Sequence, residues 1–202
     1  MLIRPHDAVV DEAQWRAFVH AQGFGHFVVG GAAQVPVVVP TQFVLDGDRV
    51  VFHLAKPNPV FAAIEATPHG VLSVAGDWSY IPGAWKAIGD EDPTRGIPTT
   101  YYAAVQLIGS IEVTDEPDAI ASILRTQLGD VEPPDSTLVD PREHVKQFKA
   151  IRGLRMQVDE VRAKFKYGGN ADVEHRAAIA QRLRARGGPG DHVAADRVPL
   201  DD

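Results

Sequence analysis

Residues 39–59 read VPTQFVLDGDRVVFHLAKPNP: two runs rich in branched residues, separated only by Asp46-Gly47-Asp48 and followed by a lysine, an asparagine and two prolines. Branched side chains fit a pleated surface, so both runs predict strands, and so short a connection leaves only a hairpin. Pro57 cannot donate to a sheet ladder, which ends the second strand by Lys56. Asn58-Pro59 then matches an N-cap and a first helical position, with Val60, Phe61 and Ile64 on the buried side of a short helix. A helix N-terminus with unpaired amides, opening two residues after a lysine, is a geometry that holds phosphate. The plainer alternative is a capped helix beside an exposed lysine.

Working outward, the valine-rich pattern recurs. Candidate strands are HFVVG (26–30), VPVVVPTQFVL (35–45), RVVFHLA (49–55), GVLSVAGDWSYI (70–81), TTYYAAVQLIGSIEV (99–113) and GLRMQVDEV (153–161). Residues 29–35, VGGAAQV, predict a second tight connection. Successive hairpins without long crossovers mean an antiparallel sheet, and six such strands are best satisfied by closing into a barrel. Helices flank it. Asp11 caps the first, whose Trp15, Phe18 and Val19 share a face; DEPDAIASILRTQL (115–128) has Gly129 placed as a C-cap. DPREHVKQFKAI (140–151) offers Asp140 as N-cap and Val145, Phe148 and Ile151 as its apolar side, and VEHRAAIAQRLRAR (173–186) ends at Gly187-Gly188. Residues 1–186 are expected to form one domain, and the weakly apolar residues 187–202 a disordered tail.

The 202 residues are 45% hydrophobic and 23% charged, an ordinary globular composition. No apolar run approaches the roughly 20 residues of a membrane span, and the N-terminus lacks a signal-peptide core, so no membrane is expected and the location expected is cytoplasmic. Absence of cysteine excludes disulfides, thiolate metal sites and a cysteine nucleophile. A net charge of −7 argues against non-specific adhesion to nucleic acid. Its distribution is uneven: residues 1–141 carry net −11, residues 142–186 net +7, and the remainder net −3. The basic segment could be a solvated helix face, a seat for an anionic ligand, or the complement of an acidic surface on the same or a second subunit.

Several stretches, in order, resemble the PaiB-like family of FMN-binding proteins, described as negative transcriptional regulators and built on the split β-barrel shared with pyridoxamine-phosphate oxidases. HLAKPNP (53–59) is similar to its H-x-A-K/R-x-N-P, and VPTQFVLDGDRV (39–50) to its second and third strands. Residues 79–109 resemble S-Y-I-S-P-x-W-Y followed by V-P-T-W-N-Y-x-x-V-H-x-x-G, and KFKYGGN (164–170) resembles K-F-K-L-S-Q-N. The resemblance implies a six-stranded antiparallel split β-barrel and a homodimer with non-covalent FMN at its interface, the flavin supplying any oxidoreductase chemistry. It puts Lys56 and Asn58 near the flavin phosphate and ribityl chain, with His53 beside them. Pro40, Thr41 and Gln42 would run along the isoalloxazine, and Trp85, Thr99, Tyr101, Lys166 and Asn170 would line the same groove, some from the second subunit. Lys164 and Lys166 would give the basic segment a use.

The sequence also departs from that pattern. Val39 replaces a histidine, Thr100, Tyr101 and Gln106 replace a tryptophan, an asparagine and a histidine, and Gly168 and Gly169 replace serine and glutamine. No residue is singled out as a general acid or base. The alternatives are a transcriptional regulator or binding protein without flavin, with DNA a weakly supported partner through the basic RLRAR helix, and a haem-binding split barrel. Histidines show no metal-site spacing, so haem or metal would need His53, His69 or His144 to converge, and no metal is expected. His26 stands where it could face the site.

Overall fold

A computed structural model describes residues 1–9, 11–31, 35–133, 136 and 140–200. The chain divides into two compact units. The sheet unit comprises Arg16–Val74 and Gln106–Val161; the terminal unit comprises Met1–Trp15, Ala75–Val105 and Arg162–Asp202.

The fold is mainly β with flanking helices. Seven strands form one sheet: β1 (Phe24–Val29), β2 (Val37–Gln42), β3 (Val44–Asp46), β4 (Arg49–Ala55), β5 (His69–Ile81), β6 (Thr99–Thr114) and β7 (Ile151–Lys166), in the order β2-β1-β5-β6-β7-β4-β3. The registered pairs β1–β2, β1–β5, β3–β4 and β4–β7 are antiparallel, and the sheet is open with β2 and β3 at its edges.

Seven strands instead of six result from a change of partner. The run expected as one strand over 35–45 breaks at Phe43, whose ring is buried and whose amide donates to Gly23 O (3.1 Å). Before Phe43 the chain pairs with β1; after it, Val44 pairs with Val51 of β4. The Asp46-Gly47-Asp48 hairpin forms as expected, Gly47 taking the left-handed φ of 58° that the turn requires.

Strand β4 is covered on both faces. Val50, Phe52 and Leu54 enter the core of the sheet unit, where Phe27 meets Phe52 edge to face. On the other face Val51 clusters with Val44 and with Ile123 of α3 (Pro117–Val131). Helix α3 runs past Gly129, the expected cap, and stops at Glu132, before Pro133. Residues 141–150 form a 3-10 helix capped by Asp140, whose Oδ1 accepts from Arg142 N (2.9 Å). Its Phe148 packs with Ile120 and Ala121, while the side chains of His144 and Val145 lie outside the described residues. Helix α1 (Glu12–Gln22) is capped by Asp11 as expected, and α2 (Val60–Ala66) follows β4.

In the terminal unit α4 (Val173–Arg186) runs from its Asp172 cap to Gly187, which adopts the left-handed C-cap. The disordered tail expected over 187–202 is instead carried into α5 (Asp191–Arg197). Composition missed it because the anchor is polar: Asp191, 1% exposed, accepts from Arg186 Nε (2.7 Å) and Gly188 N (2.8 Å), while Ala194, Ala195 and Val198 are buried. Among the described residues no helix is long and apolar enough to cross a membrane.

Candidate functional site

The residues singled out by resemblance fall in both units: Pro40, Thr41, Gln42, His53, Lys56 and Asn58 in the sheet unit, and Trp85, Thr99, Tyr101, Lys166 and Asn170 in the terminal unit.

Lys56 leaves β4 as expected, with its amide donating to Ala150 O (2.9 Å). The amides of Asn58, Val60 and Phe61 are engaged within the chain. Asn58 N donates to Ala55 O, Val60 N to Asn58 Oδ1 and Phe61 N to Asn58 O, while Pro57 and Pro59 have no N–H. Asn58 thus accepts from the amides of Val60 and Phe61 at the start of α2, which begins at Val60 and spans seven residues. The cationic side chains remain. Lys56 Nζ lies 3.0 Å from Asp115 Oδ1, and Arg152 donates from Nε (3.1 Å) and Nη2 (2.8 Å) to Asp115 Oδ2. Hydrogen bonding from Lys56 holds the Asp115 carboxyl below the usual range, with Arg152 adding to it. Two cations thus converge on one half-exposed carboxylate, leaving one unit of positive charge. Such a pair of side-chain cations could hold an anionic group.

His53 Nδ1 lies 2.7 Å from Gln127 Oε1 of α3, and Gln127 Nε2 reaches back to Gln42 O (3.5 Å). Thr41 is buried, its hydroxyl donating to Gln42 O (3.0 Å). Pairing of Phe24 with Gln42, His26 with Pro40 and Val28 with Val38 sets these six on one face of the β1–β2 ribbon. That face stands in solvent: Phe24 is 54% exposed and Val38 50%, with His26 and Pro40 also exposed.

In the terminal unit Lys166 Nζ donates to Thr99 Oγ1 (2.6 Å), so these two candidates do meet. Trp85 is held by α4: Arg182 donates to its carbonyl and Arg186 lies over its ring, 4.7 Å from the centroid. Asn170 is exposed. Tyr101 is 2% exposed, packed edge to face on Tyr167, and burial pushes its phenol up to about 12. It packs in the core of this unit. Its hydroxyl occupies the place a Cβ at Gly168 would take, and Gly168 has φ 84°. The glycine that replaced serine and the tyrosine that replaced asparagine are therefore one packing solution.

The basic segment is answered largely by acids of the same chain: Lys164 with Asp7, Arg142 with Asp140, Arg152 with Asp115, Arg184 with Asp196 and Arg186 with Asp191. Sequence reading missed Arg152, Asp115 and Gln127, because each reaches its partner through tertiary pairing that leaves no local pattern. Among the described residues no group of three or more His, Cys, Asp or Glu could hold a metal ion.

Comparison with known proteins places this geometry. The chain is 22% identical over 187 residues to the Protease synthase and sporulation protein PAI 2 of Bacillus subtilis (strain 168), covering 89% of this chain and 87% of that protein. Its fold is similar to the flavocytochrome Anf3 from Azotobacter vinelandii (TM-score 0.63, 22% identity, 84% of this chain and 74% of that one). It is similar also to the FAD and heme binding protein from Mycobacterium smegmatis (TM-score 0.60, 18% identity, 90% and 80%). The family model described as "Putative FMN-binding domain" matches residues 1–160. By that match over most of its length, the chain belongs to the FMN-binding domain family.

Proposed function

We propose that the chain binds FMN non-covalently in a homodimer formed through the bare β1–β2 face, with any redox step carried by the flavin. The observation that carries this reading is the face itself, where Pro40 and Gln42 share a solvent-exposed, largely apolar surface with Phe24, Val28 and Val38. Contiguous exposed apolar side chains are costly in water and mark surfaces that are covered in use. Pro40, Thr41 and Gln42 offer backbone groups and an amide to the polar edge of an isoalloxazine. Lys56 and Arg152 offer two cations to the phosphate once Asp115 is displaced.

Bound flavin would supply hydride or single-electron transfer. The protein's part is to orient the ring along β2 and exclude water by pairing. The alternative, a regulator or binding protein without flavin, rests on the RLRAR helix, whose Arg182, Arg184 and Arg186 make bonds within the chain, Arg184 to the exposed Asp196. Haem is the second reading, favoured by His26, which sits exposed on the same face opposite Pro40; one of the similar folds is named an FAD and heme binding protein.

The test is the visible spectrum of freshly purified protein, followed by titration with FMN and fluorescence quenching. Flavin bands or saturable quenching are expected, with affinity reduced about tenfold or more in Lys56→Ala, the loss associated with one charge-assisted contact. A Soret band would select haem; a colourless protein that ignores FMN would overturn the flavin reading.

A further inference from the structure

At the fork in the sheet unit where the chain passes from pairing with β1 to pairing with β4, one buried side chain reaches both arms. Val44 pairs with Val51, and continuing that register would bring Gln42 opposite His53; Gln42 pairs instead with Phe24 of β1. Gln127 of α3, 5% exposed, meets both residues, with Oε1 2.7 Å from His53 Nδ1 and Nε2 3.5 Å from Gln42 O. Helix α3 comes this close because the partner of His53 on β7 is Gly153, where a Cβ would lie 2.7 Å from Ile123 Cδ1 and 2.9 Å from Thr114 Cγ2. Ile123, one helical turn before Gln127, packs with Val44 and Val51 and holds the helix in that position.

A primary amide accepts at one end and donates at the other. The carbonyl of Gln42 can only accept, so the Nε2 end of Gln127 faces it and the Oε1 end faces His53. Turning the amide over would set two oxygens against each other at Gln42, and a buried amide left unpaired costs more than its bond contributes. An oxygen 2.7 Å from His53 Nδ1 requires a proton on that nitrogen. The neutral imidazole therefore carries its lone pair on Nε2. His53 is half-buried, and Nε2 has no hydrogen-bond partner among the described residues.

We propose that Gln127 is a positioning residue of the ligand site: it fixes His53 in the Nδ1–H form, so that Nε2 presents a bare acceptor, and it pins the end of β2 through Gln42. A lone pair repels the oxygens of a phosphate and accepts a hydrogen bond from a hydroxyl. His53 therefore addresses a hydroxyl of the ligand, on the ribityl chain in the case of FMN, and leaves the phosphate to Lys56 and Arg152. The hydroxyl contact rests on the flavin reading; the form of the imidazole does not.

The experiment has an arm without ligand and an arm with it. Imidazole nitrogen NMR of the flavin-free full chain, recorded where histidine is neutral, should show His53 protonated at Nδ1, and the proton should move to Nε2 in Gln127→Met. Titrations then compare FMN with riboflavin, which lacks the phosphate, and lumiflavin, which also lacks the hydroxyls. His53→Asn keeps an N–H for Gln127 and offers no acceptor in place of Nε2; it should weaken FMN and riboflavin alike, about fivefold or more, and leave lumiflavin unchanged. Gln127→Met, which also frees the end of β2, should weaken all three. Thermal melting of each variant separates lost binding from lost folding. A proton on Nε2 in the parent, or Gln127→Met binding as the parent does, overturns the role of Gln127. In His53→Asn, an equal loss for lumiflavin or a loss confined to FMN overturns the hydroxyl contact. If none of these flavins binds, the flavin reading falls and the hydroxyl contact with it, while the ring resonances still decide whether Gln127 sets the form of His53.

Discussion

Tyr101 and Gly168 share one volume, and their substitution energies should be coupled. Gly168→Ala places a Cβ against the phenol at a left-handed φ, a cost of about 2–4 kcal/mol when strain and overpacking combine. Tyr101→Phe in that background removes the nearest atom and should recover about 1 kcal/mol, read by urea denaturation of the four proteins of the cycle. Equal costs in both backgrounds would show that the φ strain alone matters. Asp191 makes a pH prediction. Its carboxyl lies at about 2 because the Arg186 guanidinium bonds it, with Gly188 N helping. The unfolded chain takes up that proton more readily, so the contribution, about 2 kcal/mol, is complete above about pH 4 and lost as pH falls through about 2. Asp191→Asn should lower stability at pH 7 and flatten this acid slope. Asp115 should act oppositely on ligand binding: Asp115→Asn frees Lys56 and Arg152 and should raise FMN affinity several-fold, whereas a structural role would lower it or leave it unchanged. Residue readings from sequence succeeded where the partner is local, as with the caps Asp11 and Asp140, and did not reach the Lys56–Asp115 pair, whose members lie 59 positions apart.

Elements were legible in proportion to how local their cause is. Valine-rich runs and the Asp-Gly-Asp turn gave the strands, and a side-chain cap gave α1 its start. The break at Phe43 was not legible, because the residues on either side favour strand equally and only the switch from β1 to β4 separates them. Helix α5 was missed because an ion pair, not an apolar stripe, fixes it. The segment 82–98 carries its own prediction, because its Glu91 lies 2.9 Å from His175 Nε2 of α4. Glu91 first, then Asp172, raises the His175 pKa. A raised histidine contributes its stabilisation fully below about pH 6.5 and loses it as pH rises through the folded value. Amide exchange at Ile88, whose N–H bonds Glu91, should therefore accelerate between pH 6 and 9 beyond the intrinsic base-catalysed rate. His175→Gln should exchange quickly at both values.

At the scale of the whole molecule, motifs spread along most of the chain identified the FMN-binding family, while strand order and the division into two units were beyond reach, being set by contacts between distant segments. The homodimer is testable here. Phe24→Glu and Val38→Lys each place a charge on the bare β1–β2 face and should shift the sedimentation of the protein from two copies to one without lowering its melting temperature appreciably. Unchanged sedimentation would move the interface elsewhere. The two edges of the sheet, β2 and β3, are separated only by Phe43, and this bears on synthesis. Both early hairpins emerge from the ribosome back to back, with β1 and β4 each missing an inner neighbour. Strand β1 finds β5 soon, but β4 waits for residues 151–157, about 100 positions later. At roughly 5–20 residues per second that is about 5–20 s with an unpaired, valine-rich edge exposed to other nascent chains.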